Sequence, residues 1–302
     1  MSSESPRPEI ELDALRERIS ELVAVGRFDD ALALADEAVR RAESSGDVER
    51  LDLAVCARAA LLIARGEGRS TISALRRILM RSTNASNRFR AAYAISQFHD
   101  EREELDKSRF YARQALHYAE ATDDSTLIGR AFNRLGNLAL VDSYFEDARD
   151  AYRQALGLQD AAPSLDDAIL LSNLGYCEIV LGEVLAGYRN LVASLRAMRR
   201  LGASRWLFLP RLGLSYAHLE LGRYPSARRH AADALELAER AASDNHVKNA
   251  LYLLGEAEKL CGDDAAARDC FRMLKDRFYP DQPIVVDVLM SADIRQLVHL
   301  MA

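Results

Sequence analysis

Apolar residues recur along this chain at the three- and four-residue intervals of amphipathic helices, in blocks separated by short polar turns. The stretch from Gly129 to Pro163 shows the arrangement most plainly. Phe132, Leu135, Gly136 and Ala139 fall on one helical face, and a polar break follows at Val141-Asp142-Ser143-Tyr144. Phe145, Ala148, Tyr152, Ala155 and Leu156 then share one face of a second helix. Convincing strand alternation is absent, and the pattern predicts an all-α chain.

The same two-helix block recurs along the sequence. Leu12, Leu15, Ile19 and Leu22 form a stripe, Gly26-Arg27-Phe28 a turn, and Ala31, Ala35, Ala38 and Val39 a second stripe. A second block spans about Asp52 to Leu79, with Gly68 where the other blocks favour a large residue after the turn. The third carries Ala92, Ile95 and Ser96, a charged turn from Asp100 to Glu104, then Ser108, Ala112 and Ala115. Later blocks turn at Leu181-Gly182, at Gly222-Arg223-Tyr224 and at Gly262. A small residue suited to a close helix crossing recurs at Ala59, Ser96, Gly136, Gly175, Ser215 and Gly255, with Ile19 the larger exception. The spacing divides the chain into a flexible tail over residues 1–11, seven repeats over 12–274, and an extension over 275–302. In that extension Pro280 and Pro283 break the pattern. Val285, Val288, Leu289, Ile294, Leu297, Val298 and Met301 then mark an amphipathic helix, a cap for the last repeat or a docking element.

Large-x-x-Leu-Gly, then aromatic-x-x-Ala-x-x-x-Tyr-x-x-Ala-Leu, then a Pro resembles the tetratricopeptide repeat (TPR). Repeats of about 40 residues are longer than usual for that family and resemble its bacterial regulatory and scaffold members. The resemblance implies a right-handed superhelical solenoid whose repeats bury their apolar faces against their neighbours and leave a concave groove.

Composition narrows the function classes. The chain has 302 residues, 49% hydrophobic and 28% charged, enough to bury a substantial core. A net charge of −6 argues against a nucleic-acid partner. The arginine clusters at Arg76, Arg77 and Arg81 and at Arg196, Arg199, Arg200 and Arg205 read as solvated faces or ion-pair partners. Cys56, Cys177, Cys261 and Cys270 lack ligand spacing and read as reduced thiols of a cytoplasmic protein. Neither a signal peptide nor a membrane span is predicted. The six histidines fit no metal motif, and no catalytic, metal or cofactor site is expected. His99-Asp100-Glu101, the nearest approach to an acid–base cluster, reads as a solvated helix end.

The family resemblance implies a groove lined by the first helix of each repeat. Its register selects Arg90, Tyr93 and Gln97, then Arg130, Asn133, Arg134 and Asn137, then Asn173 and Tyr176, then Tyr216, and finally Asn249 and Tyr252. Amides offer a donor and an acceptor to a ligand backbone, arginines a fork for carboxylates, and tyrosines flat contact area. The expected partner is a protein or extended peptide, acidic groups among its features, held by a scaffold or adaptor. One alternative is a peptide-responsive sensor that captures or releases an effector. Another is homo-oligomeric assembly through the C-terminal helix.

Overall fold

The computed structural model describes residues 8–158 and 164–293, with side chains placed from residue 14 onward. Among these residues there are α-helices and two 3-10 turns but no strand. The helices form pairs in chain order: α1 (Pro8–Ala24) with α2 (Phe28–Ser45), α3 (Val48–Ala64) with α4 (Ile72–Arg81), and α5 (Ala85–Asp100) with α6 (Leu105–Glu120). Next come α7 (Ser125–Val141) and α8 (Phe145–Gly157), then α9 (Leu165–Val180) and α10 (Val184–Arg200). The last pairs are α11 (Phe208–Glu220) with α12 (Tyr224–Arg240) and α13 (Asp244–Leu260) with α14 (Asp264–Phe278), followed by α15 (Val285–Ser291). The helix starting at Pro8 enters the segment read as a tail, and α14 runs past the expected boundary at residue 274. Ile294, Leu297, Val298 and Met301 lie outside the described residues.

The chain divides into two compact units, one formed mainly by residues up to Leu138 and the other mainly from Ala139 onward. In the first, α2 packs on both α1 and α3, and α5 packs on α3, α4 and α6. In the second, α11 contacts α9, α10, α12 and α13, and α15 lies on α14. A first helix thus touches its own partner and the first helix of the next pair.

Each second helix presents a stripe of small residues to its core. Ala31, Ala35, Ala38 and Ala42 are buried on α2, and Ala227, Ala231, Ala234 and Ala238 repeat that spacing on α12. Small side chains let the backbones approach closely, and the approach is tightest at one register. Ser96 Oγ donates to the Ser108 carbonyl and Ser108 Oγ to the Ser96 carbonyl, each at 2.9 Å. Ser215 Oγ donates to the Ala227 carbonyl at 2.9 Å. At the corresponding place a Cβ on Gly175 would lie 2.9 Å from the Gly187 carbonyl oxygen, and a Cβ on Gly187 would overlap the Gly175 carbonyl. The two contacting residues are 12 apart in sequence at both serine crossings.

The turn within each pair is equally regular. A residue with φ in the left-handed region sits seven positions after the crossing residue at Gly26, Gly66, Glu103, Ser143, Gly182, Gly222 and Gly262. Glycine adopts that conformation without steric cost, whereas Glu103 and Ser143 adopt it against one. The next helical element begins two residues later, at Phe28, Leu105, Phe145, Val184, Tyr224 and Asp264. In the second pair that place is Gly68, the start of a 3-10 turn. A Cβ there would come within 2.5 Å of Ile63 Cγ1 and 3.1 Å of Phe98 Cδ2, so neighbouring side chains already fill the space a large residue would take.

The close crossing yields a stability test. Gly187→Ala forces a methyl against backbone and should cost about 1–3 kcal/mol. Gly157→Ala meets no atom within 4 Å and should be neutral or stabilising by up to about 1 kcal/mol. Urea unfolding midpoints of the two variants beside the parent check both signs.

Candidate functional site

Helix α5 is buried on most of its circumference. Ala91, Ala94 and Ile95 join one apolar cluster with Ile63, Leu75 and Ile78, while Phe89 and Ala92 join another with Ala115, Leu127 and Ala131. What remains half-buried is a strip of Arg90, Tyr93 and Gln97, spaced i, i+3, i+7. Helix α7 repeats the strip in the same register with Arg130, Asn133 and Asn137, also half-buried. Asn84 accepts from the Asn87 amide at the start of α5, and Asp124 accepts from the Thr126 and Leu127 amides at the start of α7. The two helices meet through the second of those clusters, which brings the two strips onto neighbouring helices.

Two polar atoms of these strips are buried without a hydrogen-bond partner: the donor Nε of Arg90 and the acceptor Oδ1 of Asn133. Burial, and then the like charges of Arg16 and Arg130, hold the Arg90 guanidinium below its ordinary pKa. Tyr93 packs on Phe89 with ring centroids 5.6 Å apart.

Arg134 is not part of this exposed set. It is 5% exposed. Its guanidinium donates to Ser96 Oγ at 2.9 Å, the Ser96 carbonyl at 3.0 Å, Ser108 Oγ at 2.9 Å and Asp100 at 2.9 Å. The side chain therefore clamps the α5–α6 crossing from the following helix. His99 is buried as well, contrary to the solvated reading: Nδ1 lies 2.6 Å from Glu104, and the ring stacks on Tyr111. Lys107 and then His99 hold the Glu104 carboxyl down at about 2. Arg81 pairs with the buried Asp52 at 2.9 Å, which makes it the ion-pair member of its basic cluster.

The candidates in the second unit are mostly spent internally. Tyr176 is 2% exposed, its ring 6.4 Å from Phe145 and 6.1 Å from Tyr216. Asn249 is buried, and Tyr252 donates its hydroxyl to Tyr279 at 3.0 Å. Burial and that bond push the Tyr252 phenol upward. Only Asn173 and Tyr216 remain half-buried without such a printed tie to a core or terminal segment. Neither Tyr176 nor Asn249 offers a ligand a polar surface, because both have turned into the apolar core beside it.

Comparisons with known proteins agree on the architecture. No family model matches the sequence, and no curated protein sequence matches it. Among solved structures, a Rap protein complexed with competence and sporulation factor superposes with a TM-score of 0.67 at 12% identity, covering 96% of this chain and 80% of that one. Cut9 in the anaphase-promoting-complex assembly Cut9–Hcn1 superposes at 0.71 with 17% identity, covering 94% of this chain and 49% of that one. A signal-transduction ATPase from Pyrococcus horikoshii with a tetratricopeptide repeat sensor superposes at 0.64 with 14% identity, covering 97% and 47%. The fold is an all-α repeat of the TPR type. No described helix is long and apolar enough to cross a membrane, and no group of three or more His, Cys, Asp or Glu is placed to hold a metal among the described residues.

Two tests follow from these geometries. Arg134→Met removes the clamp and leaves Ser96, Ser108 and Asp100 without it, so unfolding free energy should fall by about 2–3 kcal/mol in urea titrations. The second concerns acid. His218 and His230 stack at 5.3 Å, with Arg211 2.9 Å from His230 Nδ1, Asp233 2.7 Å from Arg211 and Tyr188 against His218. Burial and then Arg211 push His230 down to about 4, and burial pushes His246 down to about 4. The unfolded chain binds protons at these sites near pH 6.5 while the folded chain does not, so stability falls from about pH 6.5 toward 4. Melting temperatures across that range should drop less steeply in a His230→Gln, His246→Gln double variant.

Proposed function

We propose that the chain is a non-catalytic, cytoplasmic scaffold or adaptor that binds an extended peptide segment of a protein partner across the α5–α7 strips. The observation that carries this reading is the pair of buried, unpartnered atoms Arg90 Nε and Asn133 Oδ1 within a half-open polar and aromatic surface. A buried donor or acceptor left unsatisfied costs about 1–3 kcal/mol, which a ligand supplying its complement recovers. An extended peptide carries a carbonyl acceptor and an amide donor at every residue except proline, and so complements both atoms. Tyr93 adds rigid contact area at low entropic cost, and Gln97 and Asn137 present further amides of either polarity. Because the strips lie on packed helices, little ordering remains to be done on binding. A fold of this type accommodates competence and sporulation factor in the Rap complex.

Photo-crosslinking in the source cell tests the assignment. A benzophenone amino acid replaces Tyr93 in one strain and Phe110, which is 57% exposed on α6, in another. A discrete adduct is expected at the first position and not at the second. Adding Asn133→Ala should weaken the adduct by about tenfold, the equivalent of one lost hydrogen bond. Equal adducts at both positions, or none at Tyr93, count against the strip.

A further inference from the structure

We propose that Arg16, Arg90 and Arg130 together bind the carboxylate of an aspartate or glutamate side chain in the bound segment, an assignment that rests on the peptide reading above. Arg90 and Arg130 occupy the same place in successive pairs, six residues before the crossing residues Ser96 and Gly136. Their helices pack through Phe89, Ala92, Leu127 and Ala131, which brings these two cations onto adjacent helices facing the same way. Arg16 reaches the same locality from α1, since its charge acts on Arg90 together with that of Arg130.

Such a cluster contrasts with the treatment of buried charge elsewhere in the molecule. Arg134 meets Asp100 at 2.9 Å, Arg211 meets Asp233 at 2.7 Å, and Lys259 meets Glu256 at 2.7 Å. Buried Asp52 has Arg81 at 2.9 Å, and buried Glu178 has Arg153 at 3.0 Å. Arg90 has no such match: no carboxylate pairs with it among the described residues, and its Nε donor is buried and unused. Asp124 and Cys56 favour its charge, but less than burial and the two neighbouring arginines oppose it. A cation so placed raises the energy of the unliganded protein, and an incoming anion relieves both the repulsion and the unmet donor. A carboxylate matches the planar guanidinium fork, and an acidic side chain fits a surface whose adjoining Asn133 and Tyr93 receive peptide backbone.

Panning a random peptide library against the full chain and against its Arg90→Gln variant tests the assignment, with Arg130→Gln as a second variant and circular dichroism confirming that all remain folded. Peptides selected by the parent should share an acidic residue at one fixed place, and their affinity should fall by about tenfold or more on Arg90→Gln, the weight of one charge-assisted hydrogen bond. Selected peptides without an acidic preference, or with one that survives both variants, would overturn the carboxylate site while leaving peptide binding intact. Selection of no peptide would overturn the peptide reading, and with it the acidic side chain as occupant. Inorganic phosphate then separates the remaining sources: a rise in melting temperature for the parent but not for Arg90→Gln makes the cluster a site for a free anion, and no rise in either removes the anion site altogether.

Discussion

The close approach of two helix backbones within each pair is the constraint on which the other features depend. It requires small residues at matching places on both helices, and serine and glycine meet the requirement differently. Where serines face each other, as Ser96 and Ser108 do, the crossing is tied by reciprocal hydrogen bonds to backbone carbonyls. Where glycines face each other, as Gly175 and Gly187 do, the backbones touch with no room for a methyl. The serine crossing carries polarity into the core, and Arg134 from the following helix satisfies it. A local choice of residue at one crossing thus dictates a buried arginine far along the chain.

Charge inside the molecule follows a consistent logic. Buried acids and bases are matched across helices, and Lys259 additionally donates to the Leu289 and Ala292 carbonyls at the end of α15, fastening that helix over the last pair. Against this background an unmatched cation on a half-open face carries information that an exposed one would not. Surface ion pairs such as Arg18 with Glu21 are worth little, because water competes for both partners. Arg90 is set apart by burial and by the company of like charge, not by its residue type.

The helix pairs were legible in the sequence because apolar spacing and small crossing residues report on the same geometry. The turns were legible where glycine marks the left-handed residue, as at Gly222, and less so where Glu103 or Ser143 takes that conformation. The site was harder to read. A first helix is covered on nearly all sides, so adjacent residues such as Asn133 and Arg134 differ sharply in environment, and a family register treats both as facing a ligand. Arg134 finds its hydrogen bonds 38 residues back, at Ser96, a separation that no local pattern reports. Arg16 escaped notice because attention to the apolar stripe of α1 left its polar positions unexamined, and only the folded arrangement relates it to Arg90.

The regularity of the turn has an evolutionary corollary. Crossing residues recur every 40 positions except from Ala59 to Ser96, an interval of 37, and from Gly136 to Gly175, an interval of 39. The segment between a crossing residue and its partner nevertheless keeps its length where the contact is made, and the left-handed residue keeps its place within it. Deletions and insertions have therefore been admitted only in the links between pairs. The twelve-residue connection behaves as an indivisible word in the grammar of the repeat, and the links as the spaces where length is free to drift.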